Sequence, residues 1–189
     1  MFSSRSKSTR TDSKTGIKVI FLDIDGVLNS TRTCIAFDGS PRDFSPKYRP
    51  KFDEVAVGML RALCAALDIL IVVSSSWRSQ FPYTKIGASL DLPTIGQTPE
   101  LDGCRGDEIA VWLAAHSEVK QYAILDDAEH MLPEQWPHFV HTDPNDGLSF
   151  KSFNQLCIIF GTTPFQVLQT SRSPKVVVEK ITLEEEAVA

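Results

Sequence analysis

Two carboxylates two residues apart, Asp23 and Asp25, stand where the apolar run Ile17–Leu22 stops. A short run so rich in β-branched and aromatic residues reads as a central parallel strand covered on both faces, and the carboxyl ends of such strands open into the crevice where α/β sheets bind ligands. Two acids crowded there repel one another unless a proton or a cation intervenes, and hard oxygen ligands favour Mg²⁺. The chemistry this suits is phosphoryl transfer, which asks for positioning and for compensation of charge on the transferred group. Gly26 follows, letting the backbone turn sharply and leaving room for a ligand. A calcium loop is excluded, because Val27 and Leu28 interrupt the alternating acids it requires. A solvated acidic turn is the plain alternative, and the rest of the chain argues against it.

A second apolar run, Ile69 to Val73, ends in Ser74-Ser75-Ser76-Trp77-Arg78, delivering hydroxyls, backbone amides and a guanidinium suited to phosphate oxygens. A third, Tyr122 to Leu125, ends in Asp126-Asp127. Between them Arg105 opens a helical pattern, where a cation opposes the helix dipole and needs another reason to be present.

Acid pair, serine, cation and acid pair, in that order and each at an element boundary, resemble the four motifs of the haloacid dehalogenase (HAD) superfamily over about Ile17 to Asp127. The wording Phe-Leu-Asp-Ile-Asp-Gly-Val-Leu-Asn, Ser-Ser-Ser-Trp-Arg and Ile-Leu-Asp-Asp is most similar to the HAD branch grouped with Swiss army knife RNA-repair proteins. The resemblance implies a hydrolase acting on phosphoric monoesters through an aspartyl-phosphate. Asp23 would be its nucleophile and Asp25 the acid for the leaving oxygen, then the base for water. An acid at the second position favours a phosphatase over the dehalogenase and pump branches. Ser74 would hold phosphoryl oxygens and Arg105 would offset their charge. Asp23, Asp25 through its backbone carbonyl, and Asp126 would bind Mg²⁺, with Asp127 a further or alternative ligand. Ser75, Arg78 and Asn29 are expected at the substrate. Arg105 departs from the more usual Lys, with Lys120 the competing cation, and the three serines leave the register of their motif open by one residue.

These motifs need elements to position them. Strands at 17–23, 69–74, 121–126 and near 138–142 alternate with helices at about 53–67, 105–116 and 149–160, and a short strand near Leu92–Ile95 completes five. Val55, Met59, Leu60 and Leu63 recur at helical spacing, as do Ile109, Trp112 and Leu113, so both helices can cover the sheet. The expected fold is α/β, a HAD-like Rossmannoid three-layer sandwich on a mainly parallel five-stranded sheet. The intervals 30–52 and 78–103 are too short for a large cap domain. In the superfamily an open site goes with large substrates, so a nucleic-acid end, a nucleotide or a phosphoprotein is expected. The basic and aromatic stretch 42–51 either lines the entrance or merely covers the sheet edge.

The chain divides into a polar tail 1–16, a catalytic domain 17–160 and a C-terminal extension 161–189, read as solvated and ending in Glu184-Glu185-Glu186. With 189 residues and 42% hydrophobic content it can bury one sizeable core. A net charge of −5 argues against broad electrostatic capture of nucleic acid. Cys34, Cys64, Cys104 and Cys157 lack metal or disulfide spacing and fit reduced thiols, hence a cytoplasmic location. No apolar run approaches the roughly 18 residues a membrane span needs. Trp77 either contacts substrate or packs beneath the site. His130 is either near the site or on the surface, His138 and His141 face opposite ways across a strand, and Asp143, Asp146 and Gly147 read as a turn. Two rival readings are a catalytically silent HAD-fold module and a nucleic-acid-binding protein whose phosphate pocket anchors a strand end.

Overall fold

Five strands form one all-parallel sheet whose central members are the apolar ones: β1 Ile17–Leu22, β2 Ile69–Val73, β3 Thr94–Gln97, β4 Val119–Asp126 and β5 Phe139–His141, in the spatial order β3-β2-β1-β4-β5. This computed structural model describes residues 16–172. β1 is central, in register with β2 on one side (Leu22 opposite Val73) and with β4 on the other (Leu22 opposite Leu125). Its side chains alternate between two cores, as a strand with both faces covered requires. Ile20 and Leu22 enter the larger core, and Val19 and Phe21 the smaller.

Helices α1 Thr31–Ala36, α2 Glu54–Leu67, α3 Tyr83–Leu90, α4 Arg105–Ala115, α5 Phe150–Ile159 and α6 Pro164–Arg172 complete the layers. α2, α3, α5 and α6 supply the larger core through Leu60, Leu63, Ile86, Phe153 and Val167. α4 covers the opposite face with Ile109 and Trp112, the latter edge-on to Phe21 at 5.3 Å between ring centroids. α2 begins where Asp53 accepts hydrogen bonds from the amides of Val55 (2.9 Å) and Ala56 (3.1 Å), satisfying two otherwise orphan donors.

Several expectations need correction. The interval 30–52 is not wholly irregular, since Ser30 and Thr33 form a capping box that starts α1. β3 lies two residues beyond the expected strand, and β4 begins two residues earlier. Val55 is 71% exposed, because the buried arc of α2 runs through Ala56, Val57, Leu60, Leu63 and Cys64. The extension after residue 160 is not solvated throughout: α6 packs on α2 and α5 and buries Val167. The tail at 1–15 and the acidic run at 184–186 lie outside the described residues. All four cysteines are free thiols. Among the described residues no helix is long and apolar enough to cross a membrane.

Candidate active site

The register of three adjacent strands decides which residues meet at the carboxyl edge of the sheet. The amide of Asp23 donates to the Leu125 carbonyl at 3.0 Å, and the amide of Ser74 donates to the Leu22 carbonyl at 3.0 Å. Asp23 is thereby flanked by Asp126 on one side and Ser74 on the other, at the roughly 4.8 Å spacing of paired strands. All three are buried, Asp126 and Ser74 completely. One carboxylate oxygen from each of Asp23, Asp126 and Asp127 lies within 4.8 Å of the other two.

Like charges held this close in a poorly hydrated place resist ionisation. Burial pushes the Asp126 carboxyl up to about 7, and the nearby Asp23 charge adds to the shift. Asp127 is raised for the same two reasons in the same order. Arg105 opposes this, its Nη1 reaching Asp126 Oδ2 at 2.9 Å and Asp23 Oδ1 at 3.4 Å. That contact supplies the reason for a cation in the first turn of α4. Lys120 instead donates to the Ser117 carbonyl at 3.0 Å, beside the start of β4 and away from the carboxylates. Three convergent carboxylates are a hard-oxygen set that fits a small divalent cation, and such an ion would relieve the repulsion that raises Asp126.

The serine motif separates into different roles. The Ser74 hydroxyl is buried and hydrogen-bonds nothing among the described residues. Such an orphan costs about 1–3 kcal/mol, which a ligand oxygen would recover after a local shift of the residues covering it. Ser75, expected at the substrate, is fully buried, and its Oγ accepts from the Trp77 amide at 3.4 Å to begin the short helical turn Ser76–Ser79.

Arg78, also expected at the substrate, is a structural tie. Its Nε donates to the Thr98 carbonyl, Nη1 to the carbonyls of Ser74 and Ser75, and Nη2 to the Pro99 carbonyl and to Glu108 Oε1 at 2.6 Å. All five N–H donors of a guanidinium are thus engaged inside the protein, leaving none for a ligand.

The loop after β1 presents Asp25 to solvent while Asp23 stays covered. Asn29, the third residue expected at the substrate, is 4% exposed and directs its Nδ2 to Asp25 Oδ1 at 2.7 Å. The other oxygen, Oδ2, accepts from Trp77 Nε1 at 2.8 Å. The Asp25 carboxylate therefore lies outside the group of three. Gly26 adopts a left-handed conformation (φ +68°), and a Cβ there would collide with Cγ and Oδ2 of Asp127. Thr142 braces the loop, its hydroxyl donating to the Gly26 carbonyl at 2.9 Å and its amide to the Asp126 carbonyl at 3.0 Å. Neither Trp77 as a partner of Asp25 nor Thr142 as a brace is signalled by spacing in the sequence. Their contacts join residues 52 and 116 positions apart.

Other candidates fall away from the chemistry. In the stretch 42–51, Arg49 pairs with Glu54, and Lys51 Nζ donates to the carbonyls of Phe37, Asp38 and Gly39, whereas Arg42 and Lys47 are exposed. His138 stacks on Tyr122, His130 is on the surface, and Asp143 and Gly147 close a turn. His141 lies near Asp127, its Nε2 2.9 Å from the Asp127 carbonyl.

The family described as the HAD domain in Swiss Army Knife RNA repair proteins matches residues 19–153. No curated protein and no solved structure matches the chain.

Proposed function

The chain belongs to the HAD superfamily, in the branch of HAD domains found in Swiss Army Knife RNA repair proteins, and from that premise we propose that it is a Mg²⁺-dependent phosphomonoester hydrolase with Asp23 as nucleophile. The observation that carries this reading is the convergence of Asp23, Asp126 and Asp127 within 4.8 Å, beside an unpartnered Ser74 hydroxyl and the Arg105 guanidinium. Asp23, Asp126 and Asp127 would hold the cation, with the Asp25 backbone carbonyl as a further ligand. When bound it neutralises charge on the transferred phosphoryl group.

The chain's own groups do the rest. An Asp23 oxygen bonds to phosphorus while the ester oxygen departs with the proton of Asp25. Water then attacks the aspartyl-phosphate, giving its proton back to Asp25, and the Asp23–phosphorus bond breaks to release inorganic phosphate. Ser74 and Arg105 compensate the phosphoryl oxygens in both steps.

An open mouth supports a large substrate. The interval between β1 and β2 is taken up by α1, the turn Arg49–Lys51 and α2, and that between β2 and β3 by the turn Ser76–Ser79 and α3, which leaves Asp25 exposed. Nucleic-acid ends head the candidates, since the family is described from RNA repair proteins, followed by nucleotides and phosphoproteins. Within 42–51, Arg42 and Lys47 are exposed and available to a polymer backbone.

The test is phosphate release from oligonucleotide ends, nucleotides, phosphopeptides and sugar phosphates, with Mg²⁺ and with chelator. Release confined to the Mg²⁺ arm, and highest on oligonucleotide ends, is expected. No release from any substrate, or release indifferent to chelation, would overturn the assignment. Gly26→Ala, which drives a methyl group into Asp127, is expected to raise the Mg²⁺ concentration for half-maximal activity by about tenfold or more. An unchanged Mg²⁺ titration would remove Asp127 from the cation's ligands.

A further inference from the structure

We propose that Trp77 is a positioning residue for Asp25, holding its carboxyl in the orientation from which a proton reaches the leaving oxygen. The inference rests on the reading of Asp25 as the general acid and goes beyond it by naming what aims that acid. Asp25 is the exposed residue of a loop whose neighbours at 23–30 are buried, and a side chain turned outward with no packing around it would sample several rotamers. Two donors prevent this: Trp77 Nε1 on Oδ2 at 2.8 Å and Asn29 Nδ2 on Oδ1 at 2.7 Å. A carboxyl group offers about four lone-pair sites. One on each oxygen is engaged here, so each oxygen keeps a site for the proton that is passed on.

Trp77 is itself well anchored. Its ring meets Phe44 edge-on at 5.0 Å and stacks on Phe81 at 5.7 Å, and Phe44 stacks on Phe52 at 5.4 Å. The backbone beneath it is capped by Ser75 and fastened by Arg78. The plainer account is that a buried indole simply needs an acceptor. Against it, the Trp77–Asp25 bond is at the surface, where water would serve the indole equally well. The group that gains from the bond is Asp25, because a catalytic group held in place reacts faster than one that must find its orientation.

Trp77→Phe keeps an aromatic ring against Phe44 and Phe81 while removing the N–H donor together with part of the indole's area. It is compared with wild type by kcat/KM on two substrates. Dinitrophenyl phosphate has a leaving oxygen that needs no proton, whereas glycerol 2-phosphate has one that does. The variant is expected to lose about 10–100-fold on glycerol 2-phosphate and less than about 3-fold on dinitrophenyl phosphate. Asn29→Ala removes the other anchor without touching the aromatic cluster and is expected to give the same pattern, so the inference survives a Trp77 variant that folds poorly. Asp25→Asn serves as the reference and is expected to separate the two substrates more strongly than either. If Asp25→Asn loses equally on both, the acid reading falls and the positioning role with it. If Asp25→Asn discriminates while Trp77→Phe and Asn29→Ala lose equally on both substrates or on neither, the positioning role alone is overturned.

Discussion

Asp23→Asn is expected to lower phosphate release by about 10⁴-fold or more, because an amide neither attacks phosphorus nor carries the phosphoryl group between the two steps. The replacement is nearly isosteric, so the strands on either side should keep their register. Its effect on stability has the opposite sign to its effect on activity. Asp23 contributes to the charge crowding that raises Asp126 and Asp127. Removing that charge from the cation-free protein is therefore expected to leave its melting temperature unchanged or higher, the pattern of a site that holds unfavourable charge for the sake of its chemistry. A thermal melt run beside the activity assay separates this outcome from unfolding. Residual activity near the wild-type level would transfer the nucleophile's role to another group.

Arg78→Ala is expected to act on stability, by about 3–5 kcal/mol, the range for breaking a buried ion pair by removing one partner. The loss takes from Glu108, which is 7% exposed, its closest partner, leaving it only the more distant cation Arg105 at 3.7 Å, and leaves the carbonyls of Ser74, Ser75, Thr98 and Pro99 without the guanidinium that joins them. In a domain of this size the change corresponds to a fall of about 6–20 °C in Tm. Part of the deficit should return in the double variant Arg78→Ala, Glu108→Gln, which no longer buries a carboxylate deprived of its closest cation. Urea or thermal unfolding measures both variants. A single variant of normal stability whose KM alone rises would return Arg78 to the substrate.

The two residues show what sequence reasoning can place in the fold and where it stops. Asp23, Ser74 and Asp126 are legible because each ends an apolar run, and parallel strands bring such ends to one edge of a sheet. Arg105 is legible because a cation in the first turn of a helix is unfavourable unless something compensates it. Arg78 carries no comparable signal. Its partners at Thr98, Pro99 and Glu108 come from a segment whose path is set by tertiary packing, so a guanidinium beside a serine motif reads as a phosphate ligand until its neighbours are known. Asn29 and Ser75 resemble it in this respect, each turned toward the protein instead of outward. α2 shows a subtler limit: its helical spacing is plain, but a one-residue error in the centre of its buried arc places Val55 inside when it faces out. α6 is a different case, since its start is written in the chain. Thr163 and Gln166 form reciprocal hydrogen bonds around Pro164, a combination of capping box and N-terminal proline that marks a helix.

The central claim is that Asp23 carries the phosphoryl group. It is tested by mixing the protein with Mg²⁺ and an activated aryl phosphate, quenching in acid within one turnover, and weighing the intact chain and its peptides. The account predicts a mass gain of one phosphoryl group, mapped to the peptide bearing Asp23 and absent from Asp23→Asn. Phosphate release with no such adduct in the wild-type protein, or an adduct mapped to any other residue, would contradict it.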